Sequence, residues 1–140
     1  MDARPSEENA IAKILVVEDD VLVRAVVVDL LEHARHTVLI AEDGQRGLVM
    51  FQREQPDLVI TDIVMPEQGG IQTLVDIRSV RPDAKVIVMS GDGRIGNTDF
   101  LAMARDLGAS EIVAKPFDAE DFLHCVARCL AREQSPAPAP

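Results

Sequence analysis

The sequence predicts an α/β fold, a doubly wound parallel sheet of five strands with helices on both faces. Five short, β-branched runs alternate with longer stretches in which apolar residues recur at helical spacing. This alternation is typical of a parallel sheet that is covered on both faces. Four of the runs also end in acidic, hydroxyl or amine side chains, and the carboxyl ends of parallel strands converge on one crevice.

Each element is bounded by local signals along the chain. The predicted strands are Lys13–Val17, Thr37–Ala41, Leu58–Thr61, Lys85–Met89 and Glu111–Ala114. The predicted helices begin near Asp20, at Asp43-Gly44, near Gly70, around Leu101 and after Asp118. Aspartates before a helix can cap its first turn, while Gln55-Pro56 and Gly108 are stop signals. The third helix is expected to end near Val80.

The first helix carries more apolar residues than one narrow stripe needs. Leu22, Val26 and Leu30 share a face, and further apolar residues widen it: Val23, Val27, Val28 and Leu31. A broad core-facing surface is the favoured interpretation. The alternative is a docking face, because an apolar patch left exposed on a soluble protein usually has a purpose.

Length and composition indicate one domain. The chain has 140 residues, 47% of them apolar, which suits a single core. We expect a flexible arm at residues 1–12, the folded domain at 13–132 and a disordered proline–alanine tail at 133–140. No long apolar stretch or secretory signal is evident, so a cytoplasmic location and no membrane contact are expected.

The charge and the cysteines exclude other classes of function. The formal net charge of −10 opposes binding to nucleic acid, which favours basic surfaces. Cys125 and Cys129 lie four residues apart on a predicted helix, a poor geometry for a disulfide. We interpret both as small core residues of a reducing compartment.

The strand-end residues form a set with a specific chemical use. Glu18, Asp19 and Asp20 follow the first strand, Asp62 follows the third, and Ser90 and Lys115 follow the fourth and fifth. Mg²⁺ prefers carboxylate oxygens at an open, partly hydrated site. A remaining carboxylate can attack a phosphoryl group, whose oxygens an amine and a hydroxyl can bind.

The motifs resemble those of the receiver domain of two-component response regulators. They are Leu15-Val16-Val17-Glu18-Asp19, Asp62-Ile63-Val64-Met65-Pro66, Val88-Met89-Ser90-Gly91 and Lys115-Pro116-Phe117. The resemblance spans roughly Lys13 to Ala131. It implies a flavodoxin-like sheet of order 2-1-3-4-5, in a stand-alone receiver.

The resemblance also implies a role for each site residue. Asp62 is the phosphoacceptor, and Lys115 and Ser90 bind the phosphoryl oxygens. The Mg²⁺ ligands are Asp19 and Asp62, Glu18 through a water molecule, and the backbone carbonyl of Val64. Asp20 is a possible substitute ligand, although we prefer it as the helix cap. A cis peptide bond before Pro116 is implied as well.

The expected partner is a histidine kinase or a histidine phosphotransfer protein, docked on the first helix. Candidates for partner choice are Asp20, Val21, Arg24 and Val28. An unknown downstream protein would bind the phosphorylated form, and the chain would be a monomer or weak homodimer. We expect no enzymatic turnover beyond self-catalysed phosphotransfer and dephosphorylation. A phosphorelay shuttle and a fragment of a longer multidomain regulator remain alternatives.

Two unrelated functions fit less well. A Mg²⁺-dependent aspartyl-phosphate hydrolase would need a second aspartate at position 64, which is valine. A flavin-binding module would need small hydroxyl and glycine residues after the first strand, where three acids stand instead.

Three features depart from the family pattern. Ile112 replaces a common aromatic residue, so coupling of Ser90 to a swinging ring is not expected. Val64 lacks a polar side chain to orient water, which predicts slow self-dephosphorylation, to be checked by the phospho-form lifetime beside Val64→Asn. Glycines at 91, 93 and 96 predict a mobile loop beside the site.

Overall fold

The structure, a computed structural model, describes residues 11–63, 70–90, 102 and 104–131. The strands are β1 Lys13–Val17, β2 Thr37–Ala41, β3 Leu58–Asp62, β4 Val86–Ser90 and β5 Glu111–Ala114. The helices are α1 Val21–His33, α2 Gly44–Glu54, α3 Gly70–Val80 and α4 Ala119–Ala131, and residues 102 and 104–106 are also helical. All strand pairs are parallel, in the order β2-β1-β3-β4-β5, which confirms the predicted fold class.

Each face of the sheet is covered by its own apolar core. On one face, α1 and α4 pack against the strands through Val27, Leu31, Phe122, Val126 and their neighbours. On the other face, α2 and α3 contribute Phe51, Leu74 and Ile77. Cys125 and Cys129 are buried thiols in the first core and form no disulfide, as the sequence predicted. Burial on both faces explains the continuous apolar runs of the central strands.

The predicted helix boundaries are confirmed by their caps. The carboxylate of Asp20 accepts hydrogen bonds from the N–H groups of Leu22 and Val23, and that of Asp43 accepts one from Arg46. Gln55 ends α2 with a φ of 50°, in the left-handed region. The predicted third strand stopped one residue short, because Asp62 still pairs in register with Met89. The predicted fourth strand began and ended one residue early, since β4 spans Val86–Ser90.

The favoured interpretation of the first helix was wrong for two of the seven apolar residues assigned to its core-facing surface. Val27 and Leu31 are buried, but Leu22 is 78% exposed and Val26 is 53% exposed. The helix packs on the sheet through the adjacent stripe that includes Val23 and Leu30. The exposed stripe therefore needs another explanation.

Some predictions lie outside the described residues. These are most of the N-terminal arm, the proline–alanine tail, the glycine-rich segment after Ser90 and the backbone of Val64. At the start of the described chain, Ala12 is buried and its N–H donates a hydrogen bond to Nδ1 of His36 at 3.1 Å. None of the described helices has the length and apolar character needed to cross a membrane.

Candidate functional site

Three carboxylates meet at the carboxyl ends of the two central strands. Glu18 and Asp19 follow β1, Asp62 ends β3, and one oxygen of each lies within 4.8 Å of the others. Glu18 is fully buried, Asp62 is 7% exposed and Asp19 is exposed. The cluster is thus open to solvent through Asp19 alone among the three, as a partly hydrated cation site requires.

Hydrogen bonds to the backbone fix the position of Glu18. Its N–H donates to the carbonyl of Ala41 at 3.1 Å, and its Oε2 accepts from the N–H of Asp20 at 3.2 Å. Nη1 of Arg24 donates to the Glu18 carbonyl at 2.9 Å. The sequence named Arg24 only as a partner contact. Its position one turn after the Asp20 cap was the available signal for this second role, because i and i+4 residues share a helix face.

Lys115 joins the buried carboxylates. Its Nζ lies 3.2 Å from Oδ2 of Asp62 and 3.3 Å from Oε1 of Glu18. The turn after β5 places Lys115 there, with its N–H bonded to the carbonyl of Ser90 at 3.1 Å. The peptide bond between Lys115 and Pro116 is cis, as the resemblance implied. An amine thereby faces the two acids from a neighbouring strand end.

The protonation equilibria of Glu18 and Lys115 reflect this crowding. Burial, followed by repulsion from Asp62, raises the pKa of Glu18 to about 7 despite its hydrogen bonds and Lys115. Burial by itself would lower the pKa of Lys115, but attraction to Asp62 and Glu18 outweighs it and the pKa is raised. Lys115 therefore carries its charge at neutral pH.

The donor set fits a hard divalent cation. Oδ1 of Asp62 is buried and has no hydrogen-bond partner among the described residues. A buried carboxylate oxygen without a partner is costly, and a cation bound by Glu18, Asp19 and Asp62 would remove that cost. Oxygen-only ligands of this kind suit Mg²⁺ rather than a softer metal.

The backbone of Asp62 is held by the start of α3. The N–H of Gly70 donates to the carbonyl of Ile63 at 2.9 Å. A Cβ on Gly70 would overlap the carbonyl oxygen of Asp62 and lie 2.6 Å from Cα of Ile63. Sequence reasoning marked Gly70 only as a helix start. Its role as a close-approach glycine depends on which strand end the helix contacts, which the local sequence does not state.

Ser90 ends β4 beside the site. Its hydroxyl is partly buried and lies 3.5 Å from the carbonyl of Val113, so it makes at most a weak hydrogen bond there. The structure thus brings together Glu18, Asp19, Asp62 and Lys115, with Ser90 at the adjacent strand end. The backbone carbonyl of Val64 lies outside the described residues.

Known proteins are similar to this chain in sequence. The chain is 31% identical to the chemotaxis protein CheY of Bacillus subtilis, over 84% of this chain and 97% of CheY. It is 35% identical to the DNA-binding transcriptional regulator NtrC of Azospirillum brasilense, over 92% of this chain but 26% of NtrC. This chain therefore spans about a quarter of the NtrC relative.

Solved structures of related proteins also resemble this chain in fold. A response regulator receiver domain protein from Clostridium thermocellum superposes with a TM-score of 0.75 at 34% identity, covering 85% of this chain and 94% of that one. NtrX from Brucella abortus gives a TM-score of 0.80 at 30% identity, over 86% of this chain and 27% of that one. The family model for the response regulator receiver domain matches residues 14–127. The chain therefore belongs to the response regulator receiver domain family, whose flavodoxin-like fold it shares.

Proposed function

We propose that this protein accepts a phosphoryl group on Asp62 from a phosphohistidine of a histidine kinase or phosphotransfer protein. An oxygen of Asp62 attacks phosphorus as the phosphorus–nitrogen bond breaks; the electron pair of that bond stays on the imidazole nitrogen, which takes a proton from solvent water. Bound Mg²⁺ would supply charge neutralisation at the site. The product is an acyl phosphate on Asp62 and a neutral histidine on the donor.

The environment of the Asp62 carboxylate carries this proposal. One of its oxygens lies 3.2 Å from the ammonium group of Lys115, and the other is buried with no partner among the described residues. Because the ammonium group of Lys115 already lies beside the carboxylate of Asp62, it can neutralise the negative charge that develops on the phosphoryl oxygens. Glu18 and Asp19 are placed to hold the cation next to the same carboxylate.

The exposed apolar stripe of α1 supports docking of the phosphodonor beside the site. Leu22 and Val26, with Phe117 and Pro116, line a cavity of about 530 Å³ that reaches Lys115. Val21 is also 64% exposed on this helix. A helical hairpin that buries this surface would bring a histidine on it close to Asp62, which is the geometry that phosphotransfer needs.

How the phosphorylated protein transmits its signal is also part of the proposal. Near-complete coverage of CheY agrees with a stand-alone receiver that acts by protein contact, while coverage of one quarter of NtrC agrees with a receiver fragment of a longer regulator. A phosphorelay shuttle would use the same acceptor. In each case the chain catalyses only its own modification, and we propose no further enzymatic turnover, so a hydrolase function is not favoured.

Intact-mass spectrometry tests the proposal directly. The protein is incubated with Mg²⁺ and a small-molecule phosphodonor, beside Asp62→Asn and a sample with chelator. Asp106→Asn, an exposed aspartate elsewhere, is the matched control. We expect one added phosphoryl group in the parent and in Asp106→Asn, and none in Asp62→Asn or with chelator. An adduct that persists in Asp62→Asn would contradict the assignment of the acceptor.

A further inference from the structure

Asp19 is the exposed member of the carboxylate cluster, and its backbone lies beyond the sheet. β1 ends at Val17, and the N–H of Glu18 still bonds to β2 through the carbonyl of Ala41. The sheet therefore fixes the backbone up to Glu18 and not at Asp19. An exposed carboxylate can turn among several rotamers, so the direction of its Cα–Cβ bond decides how often its oxygens face a cation at the cluster.

Side-chain hydrogen bonds hold the two peptide planes that flank Asp19. Nη1 of Arg24 donates at 2.9 Å to the carbonyl of Glu18, which belongs to the peptide before Asp19. The N–H of Asp20, in the peptide after Asp19, donates to Oε2 of Glu18 at 3.2 Å. Because each peptide is planar, holding both of them fixes the backbone of Asp19 and hence the direction of its Cα–Cβ bond. Arg24 supplies the first of these two constraints from the α1 helix.

The place of Arg24 in α1 is not explained by the stability of that helix. It follows the Asp20 cap by four residues, and a cation near a helix N-terminus is disfavoured by the helix dipole. Long side chains of a helix point back toward its N-terminus, which directs the guanidinium of Arg24 to the preceding loop. There it is partly buried and bonded to Glu18. The contact with the loop, rather than the helix, therefore accounts for an arginine at this position.

We propose that Arg24 is a positioning residue for the cation, because its bond to the Glu18 carbonyl keeps the Asp19 carboxylate directed at the cluster. This role rests on the proposed function, since it concerns the Mg²⁺ that assists phosphorylation of Asp62. Without the bond, the peptide between Glu18 and Asp19 can rotate, and Asp19 faces the cation for a smaller part of the time. The charge of Arg24 has the opposite effect, because a positive group close to the cluster repels Mg²⁺. Loss of positioning and loss of charge therefore change the Mg²⁺ affinity in opposite directions.

Isothermal titration with Mg²⁺, without a phosphodonor, separates the two effects. Arg24→Met, which keeps the stem and removes the donor groups, should bind Mg²⁺ about tenfold more weakly than the parent. Arg24→Lys, which keeps the charge and a hydrogen-bond donor, should lie between them. Arg53→Met, which removes an arginine with a 70% exposed side chain in the last turn of α2, is the matched control and should bind as the parent does. Unchanged or tighter binding in Arg24→Met would refute the positioning role, because loss of charge alone would then explain the result.

Amide hydrogen exchange in the metal-free protein follows the loop itself. Circular dichroism first verifies that the variants fold, and Arg24→Gln repeats the test should Arg24→Met not fold. The Asp20 amide should exchange about fivefold faster or more in Arg24→Met than in the parent, because a freer peptide before Asp19 loosens its bond to Glu18. The amide of Val59, bonded within the sheet, should not change. Equal exchange at Asp20 in parent and variant would overturn the proposal.

Phosphorylation by a small-molecule donor gives a third readout. We expect the Mg²⁺ concentration for half-maximal rate to rise in Arg24→Met as its affinity falls, while the rate at saturating Mg²⁺ stays within about twofold of the parent. A small donor does not need to dock on α1, so a lost docking contact would not change this concentration. A lower rate at saturating Mg²⁺ with an unchanged half-maximal concentration would contradict the proposal. A parent that is not phosphorylated would count against the proposed function alone, and calorimetry would still decide the role of Arg24.

Discussion

At the scale of single residues, the site is a balance of buried charges. Glu18 and Asp62 are both removed from water, and their mutual repulsion contributes to the raised pKa of Glu18. Lys115 contacts one oxygen of each and offsets part of that repulsion. It contacts only Oδ2 of Asp62, which leaves Oδ1 without a described partner. Lys115 and a bound cation therefore act alike on the same pair of acids, since each neutralises them, but the two positive charges repel each other.

Lys115→Met separates the two effects. Removing the ammonium group should tighten Mg²⁺ binding about threefold or more, because a competing cation is lost from Asp62. Phosphorylation of Asp62 should slow by about tenfold or more, since the developing phosphoryl charge loses its partner. Isothermal titration with Mg²⁺ and the rate of phosphoryl addition measure the two quantities. Lys85→Met, which removes a lysine bonded to the end of α4, is the control. Weaker Mg²⁺ binding in Lys115→Met alone would contradict this balance.

At the scale of elements, the contact between β3 and α3 positions Asp62, the proposed acceptor. Gly70 begins α3 directly against the carbonyl of Asp62, so helix and strand approach more closely than a side chain would allow. At another helical glycine, Gly47 in α2, an added Cβ would lie 2.8 Å from a methyl group of Val17. The atom that a Cβ on Gly70 would meet belongs to the backbone, whereas the atom that a Cβ on Gly47 would meet is at the end of a side chain. The two glycines therefore tolerate a methyl group differently.

Gly70→Ala should destabilise the protein by about 2 kcal/mol or more, because the backbone at Asp62 must shift to admit the methyl group. Gly47→Ala should cost less, since Val17 can move and alanine favours the helix by about 1 kcal/mol. Urea unfolding measures both. We also expect slower phosphorylation in Gly70→Ala at a temperature where it is folded. If the two variants lose equal stability, the backbone clash is not the controlling feature.

At the scale of the whole molecule, buried ionisable groups make stability depend on pH in opposing ways. Burial lowers the pKa of His36, whose Nδ1 accepts the N–H of Ala12 where the chain enters β1. The unfolded chain takes up a proton near the ordinary pKa of about 6.5, while the folded imidazole does so only at lower pH. Stability from His36 is therefore present above about pH 6.5 and is lost on acidification. Glu18, with its pKa raised to about 7, acts in the opposite direction between its unfolded and folded pKa values.

His36→Asn isolates the histidine contribution. The amide oxygen of asparagine can accept the same N–H and does not titrate. As the pH falls from 7.5 to 5.5, the parent should lose free energy of unfolding relative to His36→Asn, because only the parent binds a proton on unfolding. Urea unfolding at several pH values, without Mg²⁺, gives the difference. Subtracting the two profiles cancels Glu18, and parallel profiles would show that His36 does not titrate on unfolding.

The sequence by itself determined the alternation of elements, the strand order implied by family resemblance, and the acids, amine and hydroxyl at the strand ends. These followed because apolar runs, helix caps and prolines act locally, as the caps Asp20 and Asp43 show. Family motifs then selected Asp62 and Lys115 among many acids and lysines.

Only the tertiary structure decided which side chains are buried and which partners they meet. The α1 helix is apolar nearly all round, so its sequence could not show that Leu22 and Val26 face solvent while Val27 and Leu31 face the sheet. The bond from Arg24 to Glu18, the close approach at Gly70 and the buried His36 depend on how one element packs on another. Burial and contact are properties of the assembled sheet and helices, and local sequence does not contain them.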